Sequence, residues 1–341
     1  MSAILDIISI GMVTAVGLDA PSACAAMRAR LDGFQETRFL GSPEGWLTGA
    51  PVPLPRNWIG EKRLAHLAAG AIVEAYEGTP EARGQTALLL CLPEEGRPGR
   101  SVRDSSALMR RIGEIIQIAP HSQSRIIAHG RPSGHVAFDH ARRLLTSGDV
   151  PYVMVAGVDC YLTAPTISHY LGERRLLTAD NANGFIPGEA AAAVLCRRSG
   201  SGGFQLFGLG LAREQASIYN AKDLPLRADG MTAAYDIAFR ETGIDMNRLG
   251  YRISDLVGEQ YWFKQTALAS IRLLRGRHEF QDLWSPAEAL GNIGAAAVPV
   301  MVGMAWMAAA KGYAAGNPVL IEASSDDGAC GAAVFASRRA A

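Results

Sequence analysis

The sequence predicts an α/β protein made of two similar halves. Short runs rich in Val, Ile and Leu alternate with Ala-rich amphipathic stretches, the pattern of strands joined through helices. The small, polar stretch RRSGSGGFQ over 197–205 divides that pattern into two sets with similar element order. Strands are predicted near 5–11, 86–92, 125–129, 151–158 and 189–196 in the first set, and near 204–211, 250–255, 317–322 and 331–337 in the second. Helices are predicted near 20–31, 62–76, 104–117 and 134–146, then near 228–242, 261–274 and 296–312. The halves are expected to run 1–200 and 201–341 and to form one compact unit, an internal duplication without a visible sequence repeat. Residues 32–60 lack clear periodicity, and Pro51, Pro53 and Pro55 mark them as an extended surface loop.

Composition narrows the function classes. The 341 residues carry 33 basic and 33 acidic side chains, with 48% hydrophobic residues, so a large core is affordable and no overall charge favours nucleic acid or an anionic membrane. No run approaches the roughly 18 uninterrupted apolar residues of a membrane span, and the first residues lack the basic region and cleavage site of a secretory signal. A cytoplasmic location is expected. Cys24, Cys91, Cys160, Cys196 and Cys330 are scattered and form no CxxC pair, which argues for reduced, buried thiols rather than disulfides or zinc. The seven histidines have no ligand spacing, and GxGxxG, Walker and HExxH signatures are missing, so no metal, nucleotide or other cofactor is expected.

Four segments, in order, carry a family resemblance. The opening ISIGMVTAVGLDAPSACAAMRARLDGF resembles the first strand, Gly turn and helix of the β-ketoacyl synthases of the thiolase superfamily. GHVAFDHARRLLTSGDVPYVMVAGVDCYL resembles the helix after their nucleophile and the next strand; NGFIPGEAAAAVLCRR resembles their Gly-Phe-x-x-Gly-Glu strand, here Gly184, Phe185, Gly188 and Glu189. ALGNIGAAAVPVMVGMAWMAAA resembles their Ser-Asn-x-Gly-His segment and its helix. The resemblance spans nearly the whole chain and implies a five-layered αβαβα fold and a homodimer. It also implies a chemistry of one cysteine at a helix N-terminus, two histidines and an oxyanion hole.

Each chemical position departs from that pattern. Counting back from Ser147-Gly148, the nucleophile position falls on Arg131, and no cysteine lies between Cys91 and Cys160. Ser254 and Asp255, within SDLVG, stand where the first histidine loop is implied. Ala295 follows Gly294 in place of the second histidine, and His278 is the last histidine of the chain. The Gly-rich closing loop is altered to SSDDGACG, with Asp326 and Asp327 poorly suited to an acyl tail. A synthase that lost only its cysteine would keep decarboxylation; the loss of all three groups leaves no recognisable acid, base or nucleophile.

Other residues offer competing readings. Ser133 lies two positions beyond Arg131 and is a weak catalytic candidate if His129 or His135 activates it; alternatively it is the N-cap of a helix beginning at Gly134, which would engage its hydroxyl. Arg131 either binds an anion at the helix start or plugs a relic pocket as a structural ion pair. Glu94, Glu95, Arg97 and Arg100 read as a solvated loop, and YWFKQ over 261–265 reads as space-filling or interface aromatics.

The expected function is therefore that of a catalytically silent thiolase-fold protein acting as a binding partner, scaffold or accessory. The N-terminal stretch GMVTAVGLDAPSACAAMRARLDGFQETRFL resembles short thiolase-like bacterial proteins encoded beside type VI secretion effectors, which implies an effector or adaptor as partner. The alternatives are a subunit like a chain-length factor, partnered with an active ketosynthase, and a residual acyltransferase or thioesterase using Ser133. Dimerisation is expected through the strand near 151–158.

Overall fold

The computed structural model describes residues 4–42, 45–55, 57–200, 202–276 and 281–338. Its elements are β1 (Leu5–Val13), α1 (Ala20–Arg28), β2 (Gln35–Ser42), β3 (Gly45–Gly49), α2 (Gly60–Glu77), β4 (Thr86–Cys91), α3 (Ser105–Ile116), β5 (Arg125–Ile127), α4 (Ser133–Ser147), β6 (Tyr152–Cys160), α5 (Ala164–Gly172) and β7 (Glu189–Arg198). The chain continues with β8 (Gly203–Arg213), α6 (Asp229–Thr242), β9 (Tyr251–Ser254), α7 (Gln260–Leu273), β10 (Asp282–Trp284), α8 (Ala287–Leu290), α9 (Ala297–Lys311), β11 (Val319–Ser324) and β12 (Ala329–Arg338).

The strand order exposes the duplication directly. The first half runs β1-β7-β6-β4-β5 and the second β8-β12-β11-β9-β10. In both, the first strand lies antiparallel to the last, the last antiparallel to the fourth, and the remaining pairs are parallel. The two five-strand sets meet only along β1 and β8, where Leu5, Asp6 and Ile7 face Leu206, Gln205 and Phe204.

Burial resolves the five layers. One apolar cluster joins α2 and α3 to the outer face of the first sheet, and another joins α6 and α7 to the outer face of the second. Between the sheets, α4 and α9 contribute Phe138, Leu145, Val298, Met301 and neighbours to a central cluster. Apolar on every side, α9 is buried as a middle-layer helix should be. With its preceding turn it is long and apolar enough to cross a membrane, the sole such helix among the described residues, but it lies mostly inside the protein. Both central helices end in left-handed glycines, Gly148 at φ 78° and Gly312 at φ 72°, a conformation that glycine adopts without strain.

Three expectations need correction. Residues 32–60 are not all loop: β2 and β3 form a hairpin there, its alternation masked by nearby prolines. The strand near 151–158 is not an edge, because β6 is paired with β4 on one side and β7 on the other; the free edge of this sheet belongs to β5. The helix expected at Gly134 starts at Ser133, and Pro132 occupies the cap position without a capping side chain.

The duplication repeats one close contact. A Cβ on Gly11 of β1 would lie 2.0 Å from the Ala71 carbonyl oxygen of α2, and one on Gly210 of β8 would lie 1.9 Å from the Ala234 carbonyl oxygen of α6. These backbone atoms cannot rotate away, so helix and strand must separate to admit a methyl group. Gly210→Ala is expected to destabilise the protein by about 2–3 kcal/mol in chemical denaturation. Gly96→Ala, which meets nothing within 4 Å, is expected to leave stability nearly unchanged.

Candidate functional site

The site implied by the resemblance lies where the start of α4, the end of β9, the β11–β12 turn and the turn before α9 converge. Arg131, Asp255 and Ala295 are all buried there, and each is engaged. Arg131 Nε lies 3.4 Å from Asp255 Oδ2, its Nη2 lies 3.5 Å from Asp326 Oδ1, and its guanidinium stacks 3.9 Å over the Trp262 ring. Neither Nη1 nor Nη2 makes a hydrogen bond among the described residues, so Arg131 is held by charge and ring stacking. A cation just before a helix N-terminus faces the adverse end of the dipole, which makes the two aspartates necessary.

Asp326 is shared with a second arginine. Arg175 donates to Glu259 through Nε at 2.7 Å and Nη2 at 2.8 Å, and to Asp326 through Nη1 at 2.6 Å. Trp262 Nε1 donates to the same Glu259 at 2.9 Å, so the ring under Arg131 is fixed by the acid that holds Arg175. At the remaining position, the Ala295 backbone N–H donates to Asp159 Oδ2 at 3.0 Å, and Arg97 Nη1 donates to that oxygen at 2.8 Å. Arg97, Arg131 and Arg175 thus face Asp159, Asp255, Glu259 and Asp326 across the site. The 94–100 segment is accordingly not a wholly solvated loop: Arg97 is buried because its partner lies at the end of β6.

The proton affinities follow from burial and neighbours. Burial opposes the charge on Arg131, but Asp255 and Asp326 outweigh it and hold the guanidinium above its ordinary value. Burial pushes Asp255 up to about 6 despite Arg131, with Asp326 adding repulsion. Asp326 is only partly buried, and although desolvation opposes its charge, Arg175, Arg131 and Arg97 hold it below the usual carboxylate range.

No nucleophile–base pair forms from the candidate residues. Ser133 Oγ accepts from the His129 backbone N–H at 2.9 Å and donates to the Leu92 carbonyl at 3.3 Å. Its hydroxyl braces the loop and does not cap α4. The His129 residue is exposed, while the His135 ring points into the core, its Nε2 3.1 Å from the Ile321 carbonyl and its pKa pushed down to about 4 by burial. Ser254 is buried at the end of β9, opposite Glu322. Cys24 and Cys330 are pushed up to about 12 and Cys91, Cys160 and Cys196 are raised as well, all by burial first, so these thiols stay protonated. His278 lies outside the described residues. Arg97, Asp159, Arg175, Glu259 and Trp262 were not expected at this site; the complementary signs of Arg131, Asp255 and Asp326 at three implied site positions were the available signal.

Removing Arg131 leaves the buried Asp255 without its counter-charge, while Asp326 keeps Arg175. Arg131→Met is expected to cost about 3–5 kcal/mol near pH 8, and Arg131→Met/Asp255→Asn to recover part of it, as read by urea denaturation. Because Asp255 holds its proton to about pH 6 in the fold but releases it near 3.9 when unfolded, its contribution is fully present below about pH 4 and is lost as pH rises through 6. The stability of Asp255→Asn relative to the parent should therefore improve between pH 4 and pH 8; an unchanged difference would contradict the assignment.

Comparisons with known proteins agree with this geometry at the level of fold. The family described as Beta-ketoacyl synthase, N-terminal domain, matches residues 132–200, and no curated protein sequence matches the chain. Among solved structures, the chain is similar to the ishigamide ketosynthase/chain length factor at 14% identity and a TM-score of 0.80, with 98% of this chain and 99% of that one covered. It is similar to a Beta-ketoacyl synthase from Burkholderia phymatum STM815 at 14% identity and a TM-score of 0.74, covering 99% and 100%. It is also similar to a ketosynthase in complex with its chain length factor from Xenorhabdus doucetiae, at 14% identity and a TM-score of 0.74, covering 98% of each. The chain has the thiolase-like, ketosynthase-type fold, and the positions implied for catalysis hold a buried ion-pair network.

Proposed function

We propose that this protein is a catalytically silent, ketosynthase-like binding partner. The observation that carries the reading is the occupation of the nucleophile position by Arg131, locked between Asp255 and Asp326 over Trp262. An acyl thioester would have to displace buried, mutually paired charges and would then meet no activated nucleophile. Residual acyl transfer through Ser133 is disfavoured by the hydroxyl's two backbone bonds.

Binding surface remains elsewhere. A cleft of about 1250 Å³ lies between the β2–β3 hairpin, the start of α2 and the loop leading to α3. Arg38, Lys62, Arg103 and Arg111 line it without an ion pair among the described residues, beside the rings of Trp46 and Trp58. Glu36 and Glu61 line the same cleft, and Arg63 is paired with Glu189, so cations remain in excess; in a chain of net charge zero, that excess beside aromatic rings suits an acidic partner surface with apolar anchors. The His66 pKa is lowered first by burial, then by Lys62 and Arg111, consistent with a positive local potential.

Two partner classes fit. Structural likeness to ketosynthase/chain length factor proteins supports an active ketosynthase as partner; the resemblance of the N-terminal stretch to type VI accessory proteins supports an effector or its adaptor. Self-association is proposed through β5, the free edge of the first sheet, whose pairing across a two-fold axis would remove an unpaired strand edge.

Purification of the tagged chain from its host is expected to retain one of these partners, identified by mass spectrometry. Arg103→Glu/Arg111→Glu should reduce the yield about tenfold without a change in melting temperature. Recovery of neither partner class, or unaffected recovery by the double variant, would refute the corresponding part of the proposal. Light scattering after size exclusion is expected to give a dimer at micromolar concentration; a monomer would exclude the β5 pairing.

A further inference from the structure

A second cavity, of about 410 Å³, lies between the end of α1, β10 and the residues following α9, away from both the ion-pair network and the basic cleft. Its size is within the usual range for small-molecule sites. Trp284 and Tyr313 supply two nearly parallel rings, with centroids 6.5 Å apart and planes inclined by 26°, and Tyr251 backs Trp284 at 4.7 Å. Met27 and Met304 add flexible, polarisable side chains that accommodate a flat apolar ligand.

Cations complete the cavity. Arg28, in the last turn of α1, sits where the helix dipole favours positive charge and stacks 4.3 Å over Tyr313. Arg30 also lines the cavity and adopts φ 57°, left-handed backbone that is strained for a residue other than glycine. Neither arginine makes an ion pair among the described residues, and Glu288 is the acidic residue lining the cavity. Two cations without a carboxylate partner among the described residues, against the single carboxylate of Glu288, suit a ligand carrying one negative charge.

We propose that this cavity binds a small planar aromatic monocarboxylate, its ring against Trp284 and Tyr313 and its carboxylate on Arg28 and Arg30. The aromatic walls favour a flat ring over a flexible acyl chain, and the arginines favour an acid over its neutral amide. The site is independent of the partner reading and requires no chemistry from the occupied ketosynthase position.

Isothermal titration of the full chain with indole-3-acetate tests the proposal, with indole-3-acetamide and octanoate as comparators. One saturable site per chain is expected, at least tenfold weaker for either comparator. Arg28→Gln and Arg30→Gln, both at exposed positions, should each weaken indole-3-acetate binding several-fold with the melting temperature unchanged. Absence of saturable binding, equal affinity for octanoate, or affinity unaffected by both substitutions would overturn it.

Discussion

The burial of Arg131 between two aspartates joins the start of α4 to the end of β9 and the β11–β12 turn. A desolvated guanidinium costs several kcal/mol unless opposite charges surround it, and its partners come from separate parts of the chain: Asp255 beyond β9, Asp326 in the β11–β12 turn and the ring of Trp262 in α7. Arg175 then shares Asp326 and holds Glu259, which in turn fixes Trp262. A change at one member therefore alters the environment of several elements that meet at the mouth between the two sheets. Such a network ties together the elements that converge there.

The internal duplication supplies the frame for this arrangement. Each half repeats one strand order and one close strand–helix contact, Gly11 against Ala71 and Gly210 against Ala234, while α4 and α9 fill the space between. The inherited geometry delivers the ends of β6, β9 and β11 to one place. Side chains at those ends can pair with one another without disturbing the layers. Asp159 is an example: its carboxylate receives the Ala295 N–H and Arg97 beside the position where the resemblance implies a histidine.

Much of the frame was legible in the sequence because periodicity is local. The runs at 86–92 and 189–196 and the Ala-rich helices at 62–76 and 296–312 correspond closely to β4, β7, α2 and α9. The β2–β3 hairpin was obscured by three prolines, and β10, only three residues long, is too short to show alternation. At the site, the departures from the pattern that the resemblance implies could be named one at a time, and a structural ion pair at Arg131 was one of two open readings. The pairing of Arg97 with Asp159 and of Arg175 with Glu259 was not legible, since each joins residues more than sixty positions apart. The inward turn of Arg97 was missed for the same reason: a charged, Gly-containing loop reads as solvated until its distant partner is known.

We propose that the ketosynthase-type position is filled by the Arg131 network and is chemically silent. The most direct test is intact-protein mass spectrometry after incubation with acyl-CoA and acyl-carrier-protein thioesters, with thiol release followed in parallel. An unmodified mass is expected, with release no faster than the buffer rate. A stoichiometric acyl adduct on Ser133, abolished by Ser133→Ala, would contradict it.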